Sequence, residues 1–192
     1  LNSSRQAVES RILRRIEMYL AQCPEILEQK SLVLADPEWH QGVLGIVASR
    51  LTEKYGRPVV LFGENNGMWV GSARSLPGID LYRNLAACAG CLEAFGGHAM
   101  AAGLRARRDQ IEAFRAEFEY CIRNSCPESV FAARLDLDCG LSFDMISENL
   151  ANELSRLEPF GEQNPEPLFY AENVDVVFSK IIGDKHLRLM LR

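Results

Sequence analysis

The chain has 192 residues, 47% of them apolar and 24% charged, with a formal net charge of −5. That is the make-up of a globular protein with one good core or one domain and part of a second, and it excludes a disordered or fibrous chain. The apolar runs are too short to cross a bilayer, and the acidic balance by itself argues against a nucleic-acid partner. The charge is uneven, however. Residues 128–192 carry 6 Lys and Arg against 12 Asp and Glu, whereas the first 127 residues hold 15 against 14. A local phosphate site in the first part is compatible with that distribution. No charged-then-apolar leader opens the chain, so a cytoplasmic protein with no membrane partner is expected. Leu1 in place of Met and an end inside the strand-like "KHLRLMLR" are expected of a piece of a longer protein.

Val8, Ile12, Ile16 and Leu20 recur every fourth residue and predict an amphipathic helix, with Ser3 or Ser4 as its cap and Pro24 just past its end. "SLVLAD" (31–36) predicts a short buried strand. "GVLGIVASRLTEKYG" predicts a helix with Val43, Val47 and Leu51 on one face and a stop at Gly56. "RPVVLFG" reads as a strand buried on both faces, "NNG" as a turn and "MWVGSARS" as the neighbouring strand. "IDLYRNLAACAGCLEAF" predicts a helix that runs into Gly96, Gly97 and His98. "GLRAR" predicts a strand, and Ile111, Phe114, Phe118 and Ile122 a helix capped by Asp109. Strands alternating with helices imply an α/β layer structure over 31–127. The pattern then changes. "ARLDLDCGL" alternates as a strand, "ISENLANELSRLE" is helical, and after the corner "PFGEQNPEP" the chain reads as nearly all strand. The expected organisation is a connecting helix (1–30), an α/β domain (31–127) and an incomplete β-rich unit (128–192).

Six cysteines stand at 23, 88, 91, 121, 126 and 139. "CAGC" lies inside an alanine-rich helical pattern, and no second C-x-x-C completes a four-ligand set, so buried reduced thiols are expected rather than zinc or disulfides. The three histidines lie far apart, with no cluster at ligand spacing, and no metal site is expected.

Three stretches carry candidate chemistry. In "VGSARS", Gly71 opens the backbone to close approach, Ser72 and Ser75 offer hydroxyls, and Arg74 supplies a planar cationic fork suited to a terminal phosphate. By spacing alone, a strand with one exposed arginine is the favoured reading of the stretch. "EWHQGVLGIVAS" sets His40 at a helix entry, where unpaired N–H groups favour anions; a contact with substrate and an ordinary hydrogen-bonded histidine are both compatible with that pattern. In "FGGHAMAAGL", Gly96 and Gly97 let a ligand touch the backbone, and His98 can donate to a phosphate or move a proton near neutral pH. A helix stop accounts for one of these glycines and leaves the pair followed by His unexplained.

Together "EWHQGVLGIVASRL", "GSARS" and "FGGHAMAAGL" resemble the DHH-associated domain of the RecJ family of single-strand-specific DNA exonucleases. "PFGEQNPEPLF" and "GDKHLRLML" resemble the start of the OB-fold that follows it in that family, and "LNSSRQAVESRIL" resembles the end of its interdomain helix. The resemblance implies a sheet flanked by helices, then a partial OB-fold, in an enzyme that degrades single-stranded DNA from 5′ to 3′ in repair and recombination. It implies Mn²⁺ or Mg²⁺ held by an N-terminal DHH domain, with none bound by this chain, which alone is expected to be inactive. That DHH domain and single-stranded DNA with a 5′ phosphate are the implied partners, and a single-strand-binding protein or a helicase is a further candidate. Ser72 and Arg74 match positions expected to bind the 5′ phosphate, with Ser75 beside them. Gly96, Gly97 and His98 match the loop expected near the scissile phosphate, where His98 is the catalytic candidate, and His40 matches a motif histidine. Ala73 stands where glycine is common in the family, so its methyl is expected to narrow the approach to phosphate. Two other readings are a DHH-type phosphoesterase for small nucleotides and a non-enzymatic RNA-binding module. An OB-fold suits single strands through a basic groove and stacking aromatics, but the acidic segment after 128 is expected to be mainly structural, with Phe160, Phe169 and Tyr170 as core.

Overall fold

Helix α1 (Asn2–Gln22) opens the chain in the computed structural model, which describes residues 2–132, 135–161, 163–183 and 186–192, with side chains from Arg5 onward. The expected caps Ser3 and Ser4 lie outside the described side chains. Ile12, Ile16 and Leu20 of α1 are buried, and the chain then turns through a short 3-10 segment, Pro24–Glu28, into strand β1 (Leu32–Ala35). Helix α2 (Gln41–Tyr55) follows and stops at Gly56, which takes the left-handed conformation (φ 61°) that a helix C-terminus favours. Strands β2 (Val59–Asn65) and β3 (Met68–Arg74) form a hairpin about Asn66 and Gly67, both at positive φ as a two-residue turn requires.

The next helix departs from the sequence expectation. Predicted to reach Phe95, it ends early: α3 spans Leu81–Ala87, a 3-10 turn covers Ala89–Cys91, and Ala94–Gly97 is strand β4. Gly90 weakens the helix from within, and pairing with β5 (Ala101–Ala106) turns Phe95 towards the Tyr82 ring, 5.7 Å between centroids. Helix α4 (Ile111–Ser125) forms as expected, but Asp109 does not cap it. Asp109 sits in a preceding 3-10 turn (Arg108–Gln110), with its carboxylate 3.6 Å from Arg107.

The five strands make one mixed sheet in the order β1-β2-β3-β5-β4, with only β1 and β2 parallel. Alternation along each strand supplies two cores. On one face Leu32, Leu34, Val59 and Leu61 meet α1 and the Val43–Val47–Leu51 stripe of α2. On the other, Val33, Val60, Phe62, Ala73 and Leu104 meet α3 and the Phe114–Phe118–Ile122 stripe of α4. The α/β layer is therefore three deep.

The chain divides into two compact units, Leu1–Ala133 and Arg134–Arg192. Residues just past 128 belong with the first: Val130 and Phe131 pack against its core, and Lys30 lies over the Phe131 ring. In the second unit the expected strand over 133–141 is reduced to β6 (Cys139–Gly140), paired with β7 (Phe169–Tyr170); residues 133 and 134 lie outside the described ones. Helix α5 (Glu148–Ser155) is capped by the Ser147 hydroxyl, and β8 (Val176–Ile182) pairs with β9 (His186–Leu191) as a hairpin. Of the aromatics expected in this core, Phe160 and Phe169 are half-buried, whereas Tyr170 is exposed and lies against Gly140.

Candidate functional site

The α1/α2 layer covers β1, β2 and one side of β3, and β3 is where the cover stops. Its residues alternate between buried (Trp69, Gly71, Ala73) and half-buried (Val70, Ser72, Arg74). On the half-buried side, Gly103 and Arg105 of β5 and Ala94 and Gly96 of β4 are exposed. Three rows cross this open face. Arg74 pairs with Ala101, whose carbonyl accepts the His98 N–H at 2.8 Å. Ser72 pairs with Gly103, and Gly103 with Gly96; Val70 pairs with Arg105, and Arg105 with Ala94. Two cross-strand glycines with no Cβ thus floor a trough of about 310 Å³ beside Ser72.

Arg74 stands on the same face, one row beyond that trough. Its guanidinium donates to the Ala73 carbonyl at 2.8 Å and to the Ser72 hydroxyl at 3.2 Å, which fixes the fork while it stays half-buried. Gly45 of α2 lies directly against it: a Cβ at Gly45 would sit 2.6 Å from Arg74 Nη2. The helix comes this close to the guanidinium only because that position is bare. Ala73 points to the opposite face and is fully buried, so its methyl does not narrow the approach to Arg74, contrary to the expectation from sequence.

Gly96 and Gly97 are glycines for different reasons. Gly97 has φ 151°, and a Cβ there would lie 2.3 Å from the Ala101 carbonyl oxygen, so the tight turn into β5 demands it. Gly96 has nothing within 4 Å of a built Cβ; its bare Cα is floor. The turn between them and β5 is pinned to the domain by two backbone bonds, Ser75 N–H to Met100 O at 3.0 Å and Leu81 N–H to Ala99 O at 2.9 Å. These hold exposed His98 across β5 from Arg74.

Two expected site residues stand elsewhere. Ser75 is buried, and its hydroxyl donates to the Ile79 carbonyl at 3.0 Å, so it closes the turn after β3 rather than facing the trough. His40 caps α2: its Nδ1 accepts the Gly42 N–H at 3.1 Å, and the ring is exposed. The neighbouring Trp39 carbonyl approaches Gly63, whose partner is Val70. His40 therefore belongs to the Val70–Arg105 end, two same-face rows from Arg74. Sequence reasoning missed Gly45 and Gly103. A glycine inside a helix costs about 1 kcal/mol relative to alanine, which is a signal of close approach; Gly103 becomes visible only through its register with Gly96.

No three His, Cys, Asp or Glu side chains among the described residues come together as metal ligands. The six cysteines are free. Cys88 is buried with its sulfur 3.8 Å from that of Cys121, and burial, with the neighbouring thiol, pushes the Cys88 thiol well above its ordinary range. No described helix is long and apolar enough to cross a membrane.

Residues 28–124 match the DHHA1 domain family, and residues 137–192 match the RecJ OB domain family. All of this chain aligns with the single-stranded-DNA-specific exonuclease RecJ of Bacillus subtilis (strain 168) at 35% identity, covering 25% of that protein. The RecJ of Thermus thermophilus aligns over the whole chain at 37% identity, with 27% of its length covered. The crystal structure of Thermus thermophilus RecJ in complex with Mn²⁺ superposes over 99% of this chain and 28% of that one, with a TM-score of 0.80 at 36% identity. The complex with Mg²⁺ gives 0.78 at 34% identity, over 99% of this chain and 29% of that one. The chain thus spans about a quarter of the length of the first relatives it matches.

Proposed function

The chain belongs to the DHHA1 domain family and continues into a RecJ OB domain, and from that premise we propose that it is the substrate-gripping C-terminal part of a RecJ-type exonuclease acting 5′ to 3′ on single-stranded DNA in repair and recombination. The observation that carries the proposal is an open glycine floor with a fixed guanidinium one row beyond it on the same face. Ser72 and Arg74 stand at the edge of a glycine floor that a strand can lie on without meeting side chains. An arginine fork meets two oxygens of a terminal phosphate at once, and a half-buried setting strengthens each charged hydrogen bond. The three rows succeed one another along the strands on one open face, which favours a strand over a small cyclic nucleotide.

The division of labour follows from the side chains. Arg74 and Ser72 bind the 5′ phosphate and set the register of the strand. His98, held by its own N–H and exposed at its ring, donates to an oxygen of the phosphate being cleaved or passes a proton there. Mn²⁺ or Mg²⁺ is supplied by the DHH domain of the parent enzyme and provides the charge stabilisation and activated water that phosphodiester hydrolysis requires. The isolated chain, on this reading, binds DNA and does not cut it.

The test compares binding of 5′-phosphorylated and 5′-hydroxyl single strands at low salt, because phosphate contacts fade as salt rises. A preference for the phosphate that disappears with Arg74→Ala is the expected result. Equal affinity for both ends, unchanged by Arg74→Ala and His98→Ala, would refute the assignment. Tighter binding of the matching RNA strand would favour the RNA-module alternative.

A further inference from the structure

Arg105 stands on the same open face as Arg74, two same-face rows away, and lines the trough. It is exposed and, among the described residues, makes no ion pair or side-chain hydrogen bond, although Arg107 nearby is paired with Glu93 and Asp109. Its flanking residues across the sheet are Val70 and Ala94, both short enough to leave the guanidinium free above the floor. Between the Arg74 row and the Arg105 row lies only the Ser72–Gly103–Gly96 row. Two same-face steps along a strand span about 14 Å.

That spacing has a chemical match. A stacked strand advances about 3.4 Å per nucleotide, and an unstacked one reaches roughly twice as far, so the two rows lie about two extended nucleotide steps apart. We propose that Arg105 is a second phosphate anchor, binding the linkage between the second and third nucleotides of a strand whose 5′ phosphate sits on Arg74. The inference rests on the DNA-binding reading above and deepens it. The two cations act as a ruler, and the glycine floor between them admits the sugar and base of the intervening nucleotides without a side-chain clash. A guanidinium with no partner among the described residues is already free to take a ligand oxygen.

The test is a binding series with the whole chain and 5′-phosphorylated strands carrying one neutral methylphosphonate at the first, second, third or fourth linkage. Arg105→Ala is expected to weaken binding of the unmodified strand roughly five- to tenfold at low salt and to lower the salt slope by about 0.7. Its penalty should vanish when the second linkage is neutral and persist when any other is. Arg105→Lys should recover part of the affinity, and the melting temperature of each variant should match the parent, since Arg105 holds nothing in the fold. An Arg105→Ala chain that binds as tightly as the parent, or that loses the same factor wherever the neutral linkage is placed, would overturn the second anchor. If the parent shows no 5′-phosphate preference and Arg74→Ala is silent, the DNA-binding reading itself has failed. If that preference stands and only the Arg105 pattern is missing, this inference alone has failed.

Discussion

Gly45 and Arg74 touch across the layer between helix and sheet, and a single methyl would separate them. An added Cβ at Gly45 would lie 2.6 Å from Arg74 Nη2 and 3.2 Å from the Ser72 hydroxyl. The atom it meets is the far end of a flexible side chain, so the fold can yield by moving the guanidinium. Alanine also suits a helix interior better than glycine by about 1 kcal/mol. Gly45→Ala should therefore leave the melting temperature unchanged or raise it, while weakening binding of a 5′-phosphorylated strand by about 1.5–3 kcal/mol, the worth of a charged hydrogen bond. Paired melting and binding titrations separate the two effects. Unaltered affinity would mean that Arg74 does not hold the phosphate in the position described.

Glu119 on α4 makes the opposite kind of prediction, one for stability alone. Its carboxylate accepts the Lys30 N–H and the Ser31 N–H at 2.8 Å each, the Ser31 hydroxyl at 2.6 Å and the Arg123 guanidinium at 2.6 Å. These bonds fasten the segment leading into β1 onto the far helix. Removing the acceptor orphans two backbone donors, so Glu119→Ala should cost about 2–4 kcal/mol in denaturant unfolding. The residue is remote from the trough, and DNA affinity measured on the folded fraction should not change. A stability loss below about 1 kcal/mol would show that water replaces these bonds without penalty.

How much of this was legible in the sequence depended on how local the cause was. The Asn66-Gly67 turn, the Gly56 stop and the stripes of α2 and α4 follow from short-range patterns, and the chain forms them as read. Strand β4 was not legible, because "CLEAF" carries a helical composition and Ala94–Gly97 becomes a strand only by pairing with β5. Ser75 looked like a donor to ligand until the turn after β3 placed Ile79 O against its hydroxyl. The Ala73 methyl was misjudged for a related reason: strand alternation sends it into the core, away from the Arg74 face. The motif residues were visible one by one. Their arrangement into rows was not, since register is set by partners distant in the chain.

Cys88 offers a test of the α3–α4 interface. Burial and the adjacent Cys121 thiol disfavour its thiolate, so the folded-state pKa lies above the ordinary value of 9.0. Below about pH 9 both states keep the proton and stability is unaffected; above it the unfolded chain ionises while the folded chain does not, and stability falls as pH rises. Cys88→Ala should flatten that alkaline decline, at the expense of some packing. In alkylation at pH 8 followed by mass mapping, exposed Cys139 should react first and Cys88 last. Early modification of Cys88 in the native protein would mean that the interface opens readily.

The two neighbouring glycines should separate fold from function most cleanly. Gly97→Ala forces an L-residue to φ 151° and sets its Cβ 2.3 Å from a backbone oxygen that cannot retreat without breaking the turn. A loss of about 1–3 kcal/mol is expected, with the His98 turn disordered as a result. Gly96→Ala meets nothing within 4 Å and should leave unfolding within about 0.5 kcal/mol of the parent. Its methyl nevertheless stands on the floor of the trough, beside Gly103 and in the same row as Ser72. Binding of a 5′-phosphorylated strand should weaken in Gly96→Ala although the protein is as stable as before, and weaken further with Gly96→Val. Should both substitutions leave affinity untouched, the strand does not lie on this face, and the conformational demand at Gly97 would be the only reason for the pair.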